Sequence, residues 1–139
     1  VCGYVVGTAD SVAFARTLET DWWPALRKRY PEPDVKSRAQ CSPDEWRAHL
    51  FHHPEMPPRA VVEAYPAHLH MNLLARARGH GLGRRLLGAA LRHLADLGVS
   101  HVHVGAGWTE AGGAAFWQAC GFAVLQEAGR TVYLGRAVA

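Results

Sequence analysis

Arg78-Gly79-His80-Gly81-Leu82-Gly83-Arg84-Arg85 is the stretch on which the fold turns, because it separates two opposite hydrophobic rhythms. Before it, Leu69, Met71 and Leu73 alternate with His68, His70 and Asn72, the period of a β-strand. After it, Leu86, Leu87, Ala90, Leu91, Leu94 and Leu97 recur at helical spacing, and Gly98 supplies a stop. A strand, a glycine loop and a helix in that order make an anion cradle. Glycines let the backbone approach a phosphate, and the helix N-terminus aims N–H groups and a positive dipole end at it. Arg78, Arg84 and Arg85 add charge suited to phosphate.

The spacing excludes two common phosphate binders. It is not Gly-x-Gly-x-x-Gly, and no Lys-Ser or Lys-Thr follows as a Walker loop requires. The following strand ends Val102-His103-Val104-Gly105, without an acidic residue to hold a ribose. Arg78-x-x-Gly81-x-Gly83 instead resembles the acetyl-coenzyme-A loop of the GNAT superfamily of acyltransferases, whose pattern is Arg/Gln-x-x-Gly-x-Gly/Ala. A structural turn or another anion site remains the alternative for so short a motif.

The downstream segments extend the resemblance. Ser100 to Val104 reads as a strand, Glu110 to Gln118 as a short helix closed by Gly121, and Phe122 to Leu125 as a further strand. Ala114-Ala115-Phe116-Trp117-Gln118-Ala119-Cys120-Gly121-Phe122 follows the family's Asn-x-x-Ala-x-x-Phe-Tyr helix and Gly-Phe turn in register. The likeness runs from about Ala67 to the C-terminus. It implies an α/β GNAT fold, a mixed central sheet flanked by helices, with acetyl-coenzyme A as co-substrate. Residues 67–139 would be the acetyl-coenzyme-A-binding core of a single domain covering 1–139.

Two positions depart from the family. Its usual Tyr, a proton source for the leaving thiolate, falls at Trp117, whose indole donates but does not titrate. Trp117 is open to two readings, a coenzyme contact or an apolar wall beside Phe116. The usual Asn, which touches the coenzyme arm, falls at Glu110.

The N-terminal half carries the other departure. Val1 to Thr8 reads as a strand. Asp10 and Asp21 are candidate N-caps of two helices, the second carrying Trp22, Trp23 and Pro24. Ser42-Pro43-Asp44-Glu45 has cap, N1 proline and N3 glutamate in place, so a third helix should run to about Phe51. A short helix from Arg59 to Ala64 should precede Pro66. The family has a tight hairpin here, so 9–66 reads as a helical insert, expected to form a lid or substrate wall. Val1 to Asp10, Trp22-x-Pro24, Arg29-Tyr30 and Val132 to Arg136 resemble the acetyltransferase-like C-terminal domain of animal O-GlcNAcase, whose members have largely lost the glycine loop. The family also places a strand–helix–strand layer before Val1 to Thr8, and the expectation is that it has been trimmed here.

Composition sets the remaining limits. With 49% hydrophobic residues over 139, the chain fits one core. No apolar run approaches ~18 residues, and no signal peptide is read at the start. Cys2, Cys41 and Cys120 are odd in number and lack CxxC spacing, so reduced cytoplasmic thiols are expected. The net charge of +3 is scattered outside the loop, which argues against a nucleic-acid partner, and without a long apolar run no membrane partner is expected. Lys28 and Lys36 are the sole lysines, an Arg bias that points to a bacterial source. A monomer or homodimer is expected.

The resemblance also implies site residues. The thioester carbonyl would be polarised by backbone N–H groups of Met71, Asn72 and Leu73, where the strand splays from its neighbour. Arg78, Gly79, His80, Gly81, Leu82, Gly83 and Arg84 would hold the pyrophosphate, and Trp117 would flank the coenzyme. In histone-type members an acid stands ten residues before the loop's first Arg, which is His68 here. An imidazole titrating near ~6.5 suits a base. His68, His70 and Glu110 are the candidate catalytic residues, although the histidines are also readable as ordinary strand residues. His68, His70, His101 and His103 bring no carboxylate or cysteine at ligand spacing, so no metal is expected. The function implied is acetyl transfer from acetyl-coenzyme A to a small-molecule amine or a lysine-containing acceptor by direct attack. The alternatives are a non-catalytic acetyl-coenzyme-A-binding module and a protein-interaction domain.

Overall fold

The computed structural model describes residues 1–34, 37–108 and 113–139. These fall into two compact units, Val1–Ser11 with Pro57–Ala139, and Val12–Met56.

The first unit is a five-stranded sheet in the order β1-β2-β3-β5-β4. Strand β1 (Gly3–Thr8) runs antiparallel to β2 (Ala67–Leu73), from Gly3 opposite Leu73 to Thr8 opposite His68. Strand β3 (His101–Gly107) lies parallel to β2, but their register covers only Ala67–Val102 and His68–His103. Both strands continue beyond that point unpaired with each other, so the sheet opens into a cleft. This is the splay expected near Met71.

Strand β5 (Thr131–Ala137) fills the place between β3 and β4 (Ala123–Ala128), antiparallel to both, with a bulge between Val124 and Gln126. Because β3 and β5 are central, Val102, Val104, Val132 and Leu134 are almost fully buried. Each such side chain contributes about 1.5–3 kcal/mol through its removal from water.

Helix α5 (Leu82–Asp96) covers one face with Leu87 and Leu94. Its C-terminus closes as the sequence expects. Val99 N–H reaches Leu94 O at 3.0 Å and Gly98 N–H reaches Ala95 O at 2.9 Å, a Schellman pair. Helix α6 (Gly113–Ala119) ends the same way. Gly121 takes a φ of 83°, Phe122 N–H bonds Trp117 O, and the Phe122 ring meets the Trp117 ring edge-on at 5.0 Å.

The second unit is helical. Helix α1 (Ser11–Thr17) continues through a π turn at Leu18–Trp22 into α2 (Trp23–Arg29). The expectation that Asp21 caps a separate helix is therefore corrected, since Asp21 lies inside a continuous helical run. The cause is Pro24, which has no N–H and whose ring would collide with the carbonyl four residues back. Trp23 N–H bonds instead to Leu18 O, five residues back, and the widened turn accommodates the ring.

Helix α3 (Pro43–His52) starts at the expected capping box, with Ser42 and Glu45 exchanging side-chain and backbone bonds at 2.7 and 3.2 Å. Arg27 joins α2 to α3, donating from Nε to Phe51 O at 2.7 Å while pairing with Glu19. The short helix α4 is Arg59–Ala64, as read from its flanking prolines. It belongs to the sheet unit.

Candidate active site

The chain between β2 and α5 turns through Gly79 and Gly81, at φ of 80° and 73°. Gly81 is the N-cap of α5, and no side chain caps the helix. The N–H groups of Leu82, Gly83 and Arg84, which have no acceptor within the helix, therefore point outward at the positive end of its dipole. A Cβ at Gly79 or Gly81 would meet nothing within 4 Å, so these glycines are set by backbone conformation. Gly83 is a glycine for another reason. A Cβ there would lie 3.0 Å from the ring of Phe116 and 3.4 Å from Leu73, so helix, strand and ring converge on it.

Above this turn lies a cavity of about 390 Å³. Met71, Asn72 and Leu73 at the end of β2 form one wall. Ala77, Arg78, Gly79 and Gly81 to Arg84 form a second, and Gly113, Phe116 and Trp117 the third. Of the residues expected at the coenzyme, all but His80 line this one space. His80 is exposed and is not among the lining residues.

The backbone of β2 is oriented by its partners. Leu74, just past the strand, donates its N–H to Cys2 O at 2.9 Å, toward β1. By strand alternation Asn72 also faces β1, whereas Met71 and Leu73 present their N–H groups to the side that β3 has vacated. Leu73 O on that side accepts Arg78 Nε–H at 3.2 Å. Arg84 is likewise anchored, donating to Ala119 O at the end of α6 at 3.0 Å.

Trp117 lines the cavity and also packs as an apolar wall. It is only 7% exposed, wedged edge-on between Phe116 at 5.2 Å and Phe122 at 5.0 Å.

The candidate bases lie elsewhere. His68 and His70 project from the face of β2 opposite the one carrying Leu69, Met71 and Leu73, and neither lines the cavity. His70 is exposed, 6.0 Å from the Tyr4 ring. His68 is half-buried, with Nδ1 2.8 Å from Ser11 Oγ, which itself donates to Pro66 O at 2.7 Å. Because Ser11 has one hydroxyl proton and Pro66 O can only accept, both contacts are satisfied when His68 Nδ1–H donates to Ser11. The basic lone pair then sits on Nε2. Burial, followed by the nearby His103 and His70, pushes the His68 pKa below the ordinary imidazole range.

His103 is buried at 1% exposure, donates Nδ1–H to Tyr65 O at 2.7 Å, and lies 5.7 Å from the His68 ring. Its pKa is also lowered by burial, against the opposing effect of the Tyr65 and Ala67 carbonyls. His101 stays at the surface of the fold, edge-on to Tyr65 at 5.4 Å. Glu110 lies outside the described residues.

Sequence reading missed Ser11 and Phe116. Ser11 follows the candidate cap Asp10 as the first residue of a helix, and only the β1–β2 pairing brings it to His68. Phe116 directly follows the small pair Ala114-Ala115 on a short helix, which is a signal for close packing on a glycine.

No protein-family profile matches the chain. Among solved structures, SsHAT is 40% identical with a TM-score of 0.86, and the match covers 100% of this chain and 67% of that one. A polyamine N-acetyltransferase from Drosophila melanogaster, which forms N-acetylagmatine, is 18% identical with a TM-score of 0.56 over 98% of this chain and 69% of that one. The PaiA N-acetyltransferase of Thermoplasma acidophilum, crystallised with coenzyme A, is 12% identical with a TM-score of 0.51 over 96% and 98%. These two share the fold, and among the described residues no helix is long and apolar enough to cross a membrane. The identity with SsHAT over the full length of the sequence, on a splayed mixed sheet with its glycine turn intact, establishes that the chain belongs to the GNAT acetyltransferase family.

Proposed function

We propose that the chain is an N-acetyltransferase that takes acetyl from acetyl-coenzyme A and delivers it to an amine by direct attack. The observation that carries this reading is the single cavity joining the uncapped start of α5 to the open edge of β2. The pyrophosphate would accept hydrogen bonds from the Leu82, Gly83 and Arg84 amides, with Arg78 and Arg84 supplying positive charge. Met71 and Leu73 would donate their N–H groups along the open edge of β2, where the thioester arm lies, and polarise its carbonyl.

The amine nitrogen then bonds to the carbonyl carbon, the C–S bond breaks, and the sulfur leaves as thiolate, which takes up the proton that the nitrogen sheds on becoming an amide. An ammonium must first lose a proton. His68, neutral at pH 7 and with its lone pair on Nε2, is the base this reading assigns, held in that tautomer by Ser11. His70 is its exposed neighbour and the second candidate. The acceptor class is a small-molecule amine or a lysine side chain.

Titration calorimetry with acetyl-coenzyme A tests the first step, and absence of binding at tens of micromolar would overturn the reading. Thiol release across a panel of amines tests the second. The buried, non-titrating Trp117 favours one other reading, a module that binds the coenzyme without turning it over. Binding without thiol release from any amine would select it.

A further inference from the structure

The helical unit holds a cluster that acetyl transfer does not use. His49 and His53 stand four residues apart at the C-terminal end of α3, and Glu32 comes to them from the segment after α2. One nitrogen from each imidazole and one carboxylate oxygen lie within 4.8 Å of one another, the one such grouping of three among the described residues. The imidazoles stack at 4.6 Å and 28°, and Glu32 contacts His53 Nε2 directly.

The surroundings hold these groups together. His52 donates from Nε2 to Tyr30 O at 2.9 Å, which ties the chain two residues before Glu32 to the helix that carries both histidines. The Tyr30 ring lies 5.6 Å from Phe51 of the same helix, and His49 rests on Trp46 at 5.0 Å and 27°. The carboxylate therefore reaches the His49–His53 face because the backbone just before it is tied to α3.

We propose that Glu32, His49 and His53 bind a divalent transition ion of the zinc class. Two imidazole nitrogens and one carboxylate suit a borderline ion, whereas calcium and magnesium prefer all-oxygen sets. Three protein ligands leave a fourth tetrahedral position to water. Bond lengths near 2.0–2.1 Å put tetrahedral ligand atoms about 3.3–3.5 Å apart, so on binding the wider pairs close by up to about 1.5 Å while the direct Glu32–His53 contact opens to admit the ion. Glu32 and His53 are exposed and His49 half-buried, so side-chain rotation supplies that movement. The ion would clamp the segment around Glu32 to α3. Neither Glu32, His49 nor His53 lines the coenzyme cavity, so the proposal is independent of the acetyl chemistry.

The test uses the untagged full chain, stripped with a chelator and titrated with zinc chloride near neutral pH by calorimetry, with cobalt as a spectroscopic probe. One equivalent should bind, with a rise in thermal midpoint and a cobalt visible band of four-coordinate intensity. His49→Ala and Glu32→Ala should each weaken zinc at least about tenfold. His93→Ala, on α5, should leave it unchanged. Glu32→Ala alters only an exposed side chain, so its result stands even if His49→Ala disturbs packing. No stoichiometric zinc in the unaltered chain, or full affinity retained in Glu32→Ala, would overturn the proposal.

Discussion

Gly83 stands so close to Phe116 that a methyl group on it would lie 3.0 Å from two carbons of the ring. That contact couples the first turn of α5 to α6 across the coenzyme cavity, since both residues line it. Gly83→Ala gains about 0.5–1 kcal/mol of helix propensity but must displace a packed ring, a cost of about 1–3 kcal/mol. A net destabilisation of about 1 kcal/mol is expected in chemical denaturation. Acetyl-coenzyme A affinity should fall more, about tenfold, because the ring moves into the cavity. Unchanged affinity would show that the two walls are not coupled.

Gly81→Asp should separate binding from folding. At a φ of 73° Asp is among the better-tolerated side chains, so stability should fall by only about 1 kcal/mol. Its carboxylate, however, would stand at the helix N-terminus where an anion is to bind. Loss of two charge-assisted hydrogen bonds at roughly 1.5–3 kcal/mol each predicts a drop in affinity of two orders of magnitude or more. Calorimetry beside a circular-dichroism melt checks both parts at once.

His68→Ala should lower kcat/KM at neutral pH by about 100-fold or more and recover at high pH, where the amine is already neutral. Because the His68 pKa lies below the ordinary range, the acid limb of the unaltered enzyme should fall below about 6.5. Ser11→Ala should shift that limb while retaining activity, since Ser11 acts only through the imidazole. A pH–rate profile of His68→Ala parallel to that of the parent would remove His68 as the base.

Stability should carry its own pH signature. His68 and His103 both have pKa values depressed in the fold, so below about 6.5 the unfolded chain binds more protons than the folded one. Their contribution is present above about pH 6.5 and is lost as pH falls toward the folded values. Thermal midpoints at pH 7.5 and 5.5 should differ, the lower pH being less stable. His103→Asn keeps a donor for Tyr65 O but does not titrate, so its midpoints should differ less.

How far the sequence carried these conclusions depends on how local each signal was. Helix α4 between Pro58 and Pro66, the Ser42 box and the Gly98 stop rest on contacts within five or six residues, and they appear where the residues place them. Ten of the eleven residues expected at the coenzyme share one cavity, because a motif with a fixed loop length carries its own geometry. Asp21 misled because a π turn depends on a proline three residues later rather than on the aspartate. His103 alternates with valines as a surface residue does, yet β5 and the Tyr65 carbonyl bury it. Nothing adjacent in the chain announces that. The insertion of β5 between β3 and β4 is equally non-local, with its register fixed by pairings some thirty residues apart.

The two-pair ladder between β2 and β3 sets how firmly the molecule holds together in the absence of its substrate. With Met71 and Leu73 facing no strand, their amides should exchange with solvent far faster than those of β3 and β5. A ligand that occupies that edge would suppress the exchange and raise the melting point with its concentration. The protein's durability would then track acetyl-coenzyme A supply, so that a well-fed cell holds a sturdier enzyme than a starved one.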